Sequence, residues 1–270
     1  MDAFLETTAI VDILFKDKAV SDTVRSIAKK YDRTYTSQYV RMEIKRGVLQ
    51  YFVALHNKSI ECSSMAEVHG YAKSLSSTRM RNRLGTILEA IENVYKEVAA
   101  IELAGQPASL ALIKKMVEAF LRLRIEGFWA GFDEAADVII DETECYKRQY
   151  TLQPPRAVGK VYDNTLQKCD RYKPDICRIR QFVNARSDSL VQIGEVLSSG
   201  EKPDPETVKR TRAIREALRL DPRDISQKLC WSLGDAIILL EAPDGATIVT
   251  HNCKHFKPMC DAVGRSVECY

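Results

Sequence analysis

The feature that most constrains the fold is the presence of strand-like segments near both ends of the chain, far apart in sequence. Residues 3–6 and 33–36 favour β-structure near the start, and residues 246–250, Ala-Thr-Ile-Val-Thr, form a β-branched apolar run near the end. That run lacks polar alternation, which suits a strand covered on both faces, as in a parallel sheet. Helical patterns accompany each strand, so the order of elements predicts an α/β fold.

Helix signals fill the rest of the chain. Thr7 or Thr8 is expected to cap a helix over residues 9–15, and Ser37 is expected to cap a helix over residues 38–55. A charged helix is predicted over 21–30 and a buried helix over 225–240. Between residues 57 and 224 the pattern is mostly helical, with amphipathic faces over 84–98 and 110–121.

Composition and the absence of targeting patterns bear on where in the cell the protein is expected to work. The chain has 270 residues, and its 40 Lys and Arg against 37 Asp and Glu give a net charge of +3, which neither demands nor excludes nucleic acid. The N-terminus lacks the pattern of a signal peptide, and the apolar run at 236–240 is too short to span a bilayer. We therefore expect a cytoplasmic protein, with no membrane partner and with reduced cysteines.

Polar residues occur where the predicted elements change over. Glu6 ends the first strand and Asn252 follows the late strand, and ligands of parallel sheets bind beyond the carboxyl ends of strands. Glu43 lies on the helix after the second strand, among apolar neighbours, and Asp235 lies inside the late helix. Carboxylates that converge on one cleft repel each other and need a cation, and their hard oxygens favour Mg²⁺ or Mn²⁺.

Four motifs in this order resemble the PIN-like domain nuclease family. Residues 5–12, Leu-Glu-Thr-Thr-Ala-Ile-Val-Asp, resemble the opening motif of the family, and residues 36–43, Thr-Ser-Gln-Tyr-Val-Arg-Met-Glu, resemble its second. Residues 233–238, Leu-Gly-Asp-Ala-Ile-Ile, resemble the third. Residues 250–256, Thr-His-Asn-Cys-Lys-His-Phe, resemble the fourth, especially in the form found in toxin-type PIN ribonucleases.

The resemblance implies a fold and its boundaries. It implies a three-layer α/β/α core with a short parallel sheet, made of residues 1–56 and 225–270. The long segment 57–224 would then be a large all-α insertion.

The resemblance also implies an activity and its residues. Glu6, Glu43 and Asp235 would hold Mg²⁺ or Mn²⁺, and Asn252 would complete the catalytic set of an endoribonuclease. RNA is the expected substrate, with single-stranded DNA as an alternative, and a toxin or defence role implies an inhibitor or antitoxin protein. A homodimer is also compatible with this class of protein.

Nucleic-acid contacts are expected at the rim of the site and on one helix face. The residues concerned are Thr8, Thr250, Arg212, Arg215 and Arg219. The three arginines share a face, and a cationic face would attract a phosphate backbone. A solvated face balanced by neighbouring acids is the alternative for that cluster.

Two positions depart from the family pattern and leave other functions open. The first acidic residue is usually Asp and is Glu6 here, while the fourth position is often Asp and is Asn252 here. A degenerate PIN-like scaffold that binds nucleic acid or protein without catalysis is the first alternative. A helical assembly protein, in which the α/β part is only a dimerisation platform, is the second.

Overall fold

The computed structural model describes residues 1–76, 92, 94–96, 109–144, 157–163, 177–199, 204–219 and 225–270. Its centre is a five-stranded sheet made of β1 (Asp2–Leu5), β2 (Arg33–Ser37), β3 (Val138–Ile140), β6 (Thr247–Thr250) and β7 (Val267–Cys269). The strand order is β3-β2-β1-β6-β7, and every pair of neighbouring strands is parallel. A separate antiparallel hairpin joins β4 (Ala157–Val158) to β5 (Val161–Tyr162). The α/β class and the parallel sheet predicted from the sequence are therefore confirmed.

Helices surround this sheet. Before β3 they are α1 (Thr7–Phe15), α2 (Lys18–Ala28), α3 (Gln38–Ile44), α4 (Gln50–Glu61), α5 (Met65–Ser76), α6 (Leu110–Glu126) and α7 (Phe128–Glu134). After the hairpin they are α8 (Ile179–Ala185), α9 (Ser187–Ser198), α10 (Pro205–Arg219), α11 (Gln227–Ser232), α12 (Gly234–Glu241) and α13 (Cys253–Ala262). A π-helical turn, Lys45–Leu49, joins α3 to α4. Most of the helix predicted over 84–98 lies outside the described residues.

The central strands are covered on both faces. Ala3, Phe4 and Leu5 are consecutive in β1 and all are fully buried, although their side chains alternate between the two faces of the sheet. Ile248 and Val249 in β6 are equally buried. Because neither face of these strands meets solvent, their sequences are continuous apolar runs, as expected for a parallel sheet.

The expectation that residues 57–224 form an all-α insertion is wrong. β3 lies within that segment and pairs with β2, with Tyr35 opposite Val138 and Ser37 opposite Ile140. The hairpin β4–β5 lies there as well. The three residues of β3 favour β-structure, and they pair with the backbone groups at the edge of β2. The segment therefore supplies part of the sheet as well as helices.

Local signals predicted most helix starts, with two differences. The Ser37 side chain accepts a hydrogen bond from the Val40 N–H at 3.3 Å and caps α3, as predicted. The cap of α1 is Glu6 rather than Thr7 or Thr8, because its carboxylate accepts the Thr8 N–H at 2.9 Å. The helix predicted over 225–240 is two helices, α11 and α12, which meet at Leu233.

Candidate functional site

The sheet order creates a crevice beyond the carboxyl ends of β1 and β6. The chain leaves β1 toward β2 on one side, and it leaves β6 toward β7 on the other. Ligands of open parallel sheets bind at such a switch point, because the two connections diverge there and leave space between them. Glu6 follows β1 directly, and residues 251–252 follow β6. This crevice is the candidate functional site.

Glu6 lies at the bottom of the crevice in a water-poor environment. The residue is 2 % exposed, and burial raises the pKa of its carboxyl group to about 7. Hydrogen bonds from the Thr8 hydroxyl, the Thr8 N–H and Thr250 oppose that rise, while the negative charge of Asp235 adds to it. Asp235 is far from Glu6 in sequence but is near enough in the fold to raise the pKa of Glu6.

Glu43 approaches the same region from α3. Its Oε2 accepts a hydrogen bond from the Thr7 hydroxyl at 2.7 Å, and Thr7 is the neighbour of Glu6. Its Oε1 packs so closely on Gly234 that a Cβ atom there would overlap it. A glycine immediately before Asp235 therefore allows the Glu43 carboxylate to reach the start of α12.

Asp235 lies in the first turn of α12 and forms an ion pair with Arg210 of α10. The Asp235 side chain is 24 % exposed, while that of Arg210 is 7 % exposed. The same guanidinium Nη2 lies 3.0 Å from His255 Nδ1. Its other terminal nitrogen, Nη1, is buried and has no hydrogen-bond partner among the described residues. A cation supplied by the protein thus already neutralises one of the predicted metal ligands.

Thr250 and Asn252 form the other wall of the crevice. The Thr250 hydroxyl accepts the Asn252 N–H at 2.8 Å, and Thr250 is fully buried. Thr250 is thus engaged within the protein, and its expected contact with nucleic acid stays a prediction. Asn252 is half-buried at the start of α13, and its side chain forms no capping hydrogen bond.

Thr8 links the two walls. Its hydroxyl donates to Glu6 and accepts the N–H of His251 at 3.0 Å. The half-buried Thr8 is thus engaged within the protein on both sides. Its expected contact with nucleic acid stays a prediction.

Sequence reasoning missed a second polar cluster beside this crevice. Asp12 is 4 % exposed on α1, and its Oδ2 accepts the Tyr270 hydroxyl at 3.0 Å. The same Oδ2 lies 3.2 Å from Nδ1 of His251. A carboxylate within the otherwise apolar run 9–15 was the one sequence signal for this cluster, since buried charges are usually paired. The pairing with residues 251 and 270 was not visible from sequence.

The four predicted catalytic positions therefore lie in the same region, at the carboxyl ends of β1 and β6. Glu6 is linked to Asn252 through Thr250, Glu43 contacts Thr7 and Gly234, and the charge of Asp235 acts on Glu6. Their oxygen donors suit a hard divalent cation. As arranged, however, these carboxylates bond to threonines and to Arg210. Within the described part of the chain, no three or more His, Cys, Asp or Glu side chains form a group that could hold a metal ion.

Arg212, Arg215 and Arg219 lie elsewhere. Successive residues of a helix are about 100° apart, so these three exposed arginines point away from Arg210 on the opposite side of α10. They line a groove with Leu197 and Ser198, and Arg215 donates to the Ser198 hydroxyl at 2.8 Å. They do not line the crevice, and their contact with nucleic acid stays a prediction.

One pair of cysteines departs from the expectation of reduced thiols. Cys253, at the start of α13, and Cys269, at the end of β7, form a disulfide. No other disulfide joins two of the described cysteines. The disulfide anchors the end of the chain beside the crevice, next to Tyr270.

Comparisons with known proteins give no family assignment. No protein-family model matches the chain, and neither the curated proteins nor the solved structures include a detectable match. Among the described helices, none combines the length and apolar character needed to cross a membrane.

Proposed function

We propose that this protein is a divalent-metal-dependent endoribonuclease with a PIN-like core and that the crevice between β1 and β6 is its active site. The observation that carries the proposal is the meeting of Glu6, Glu43 and the start of α12 at the switch point of the sheet. This observation supports the proposal because the four motifs, far apart in sequence, lie near the part of the fold where open parallel sheets bind ligands.

The residues of the crevice have distinct tasks in this proposal. Glu6, Glu43 and Asp235 would hold Mg²⁺ or Mn²⁺, which supplies charge neutralisation and an activated water for phosphodiester hydrolysis. Asn252 presents a side-chain amide at the rim, where it orients a phosphate or a water molecule. The buried Thr250 fixes the loop that carries Asn252. Arg210 must leave Asp235 when the cation binds there.

The experiment that tests this function is an RNA cleavage assay with the full chain and Asp235→Asn. Wild type is expected to cleave end-labelled single-stranded RNA with Mn²⁺ and to stop with EDTA. Asp235→Asn is expected to lose at least about 100-fold in rate, since even an outer-shell partner of a metal site contributes 10–100-fold. Asp22→Asn, an exposed residue on α2, is the matched control and should retain the wild-type rate. Equal rates for wild type and Asp235→Asn would refute the mechanism. Cleavage of single-stranded DNA alone would change the substrate class.

The Arg210–Asp235 ion pair favours a second candidate, a PIN-like binding module without catalysis. In such a protein the guanidinium permanently occupies the place of the cation. A wild-type chain that binds RNA but neither cleaves it nor takes up Mn²⁺ would support this candidate over the nuclease.

A further inference from the structure

The cluster of Asp12, His251 and Tyr270 has no part in the function proposed above. Asp12 is an almost fully buried carboxylate on an apolar helix, and burying such a charge is costly unless it is paired. Its Oδ2 receives the Tyr270 hydroxyl and lies 3.2 Å from His251 Nδ1. The chain thus maintains a buried acid whose partners include a histidine with a side chain 65 % exposed.

This arrangement orients the imidazole. A carboxylate beside Nδ1 accepts the Nδ1–H, so the other ring nitrogen, Nε2, is free to act toward the solvent side. The backbone fixes the residue as well, because the His251 N–H donates to the Thr8 hydroxyl at 3.0 Å. The ring of Tyr270 lies beside the imidazole, with ring centres 5.4 Å apart.

The oriented imidazole is adjacent to the crevice. Thr8, which accepts the His251 N–H, donates its own hydroxyl to Glu6. Residue 251 also directly precedes Asn252. A substrate phosphate held at the acidic residues would therefore have an accessible, oriented proton carrier at its edge, a role in which histidine is the most frequent side chain.

We propose that His251 donates a proton to the leaving oxygen during phosphodiester hydrolysis, with Asp12 as the residue that positions it. Water attacks phosphorus and gives up a proton to solvent, while the bond from phosphorus to the leaving oxygen breaks. The bonding electron pair goes to that oxygen, which takes the proton from Nε2 and departs as a hydroxyl group. The imidazole then regains a proton from solvent. This inference rests on the proposed nuclease function.

Sulfur substitution tests this role separately from a structural one. The ends of the cleavage products first identify the leaving oxygen, and an RNA with sulfur at that bridging position is then compared with normal RNA. A thiolate departs without protonation, so His251→Gln should lose about 100-fold or more on normal RNA, the lower range for general acid catalysis. On the sulfur substrate the rate of His251→Gln relative to wild type should return to within a few-fold. His69→Gln, an exposed histidine on α5, is the matched control.

The outcomes separate this inference from the function beneath it. Asp235→Asn should lose activity on both substrates, because a metal ligand does not act through the leaving-group proton. If Asp235→Asn behaves so, but His251→Gln keeps full activity or loses equally on both substrates, the proton-donor role is overturned and the nuclease stands. A wild-type chain inactive on both substrates would overturn both proposals.

Discussion

Glu6 lies in surroundings that oppose its ionisation. Its side chain is buried, its hydrogen-bond donors are two threonines, and Asp235 adds a further negative charge. Burial raises the pKa of this carboxyl group to about 7, so the acid is partly protonated near neutral pH. A divalent cation at this position would favour the ionised form, which couples metal binding to release of a proton.

The raised pKa predicts that Glu6→Gln stabilises the protein at alkaline pH. The folded pKa of about 7 exceeds the ordinary 4.5, so between these values the folded chain keeps a proton that the unfolded chain has lost. The contribution of Glu6 to the free energy of unfolding is therefore greatest below pH 4.5, and it decreases until the pH passes about 7. At pH 8 we expect Glu6→Gln to exceed wild type in free energy of unfolding by about 1 to 3 kcal/mol.

Urea denaturation of both proteins across this pH range measures the effect. The difference should shrink as the pH falls toward 4.5. Glu241, a second buried acid whose pKa burial raises to about 7, is present in both proteins and cancels. A difference that does not change with pH, or a variant less stable at pH 8, would contradict the prediction.

The individual acids were predictable from sequence because their placement depends on local elements. Glu6 follows a strand, Glu43 lies on the helix after β2, and Asp235 lies in the first turn of α12, so local patterns placed each of them. Their partners were not predictable, because Arg210 and Tyr270 reach the crevice only through contacts between elements far apart in sequence.

At the scale of elements, α10 supplies the positive charge that pairs with Asp235 at the crevice. It carries Arg210 inward to Asp235 and Arg212 outward to solvent. The guanidinium forms an ion pair with the Asp235 carboxylate, which is the group that a cation would need to bind. Metal binding must therefore compete with an ion pair of the protein itself.

This competition predicts that Arg210→Gln binds Mn²⁺ more tightly than wild type. A positive charge beside a carboxylate lowers the affinity of that carboxylate for a cation. Coulomb repulsion of this size changes a binding constant by about tenfold or more, as it does for the binding of a proton. Calorimetric titration should show that gain. Asp235 remains solvated in the variant, because its side chain is partly exposed. Arg212→Gln, on the opposite face of α10, should leave the affinity unchanged, and an unchanged or weaker affinity for Arg210→Gln would contradict the competition.

Short elements were the ones that sequence could not place. β3 and β7 are three residues each, too short for a periodic pattern, and their assignment depends on pairing with β2 and β6. The π-helical turn Lys45–Leu49 interrupts what the sequence presented as one continuous helix. By contrast, β1, β2 and β6 each have a local apolar or β-branched signal and were predicted to within one or two residues.

At the scale of the whole molecule, the order of the sheet gathers the site from distant parts of the chain. β1 and β6 are neighbours although the long middle segment separates them in sequence. The disulfide between Cys253 and Cys269 then holds the end of β7 against the start of α13. Tyr270 is thereby kept close to Asp12, in the polar cluster beside the crevice.

The central claim is that Glu6, Glu43 and Asp235 share one divalent ion, and a crystal structure grown with Mn²⁺ tests it most directly. The predicted result is an anomalous-scattering peak in the crevice between β1 and β6, bound by these carboxylates directly at about 2.1 Å or through water. Arg210 should have moved away from Asp235. Crystals at saturating Mn²⁺ in which the crevice holds no peak, with Arg210 still paired to Asp235, would contradict the claim.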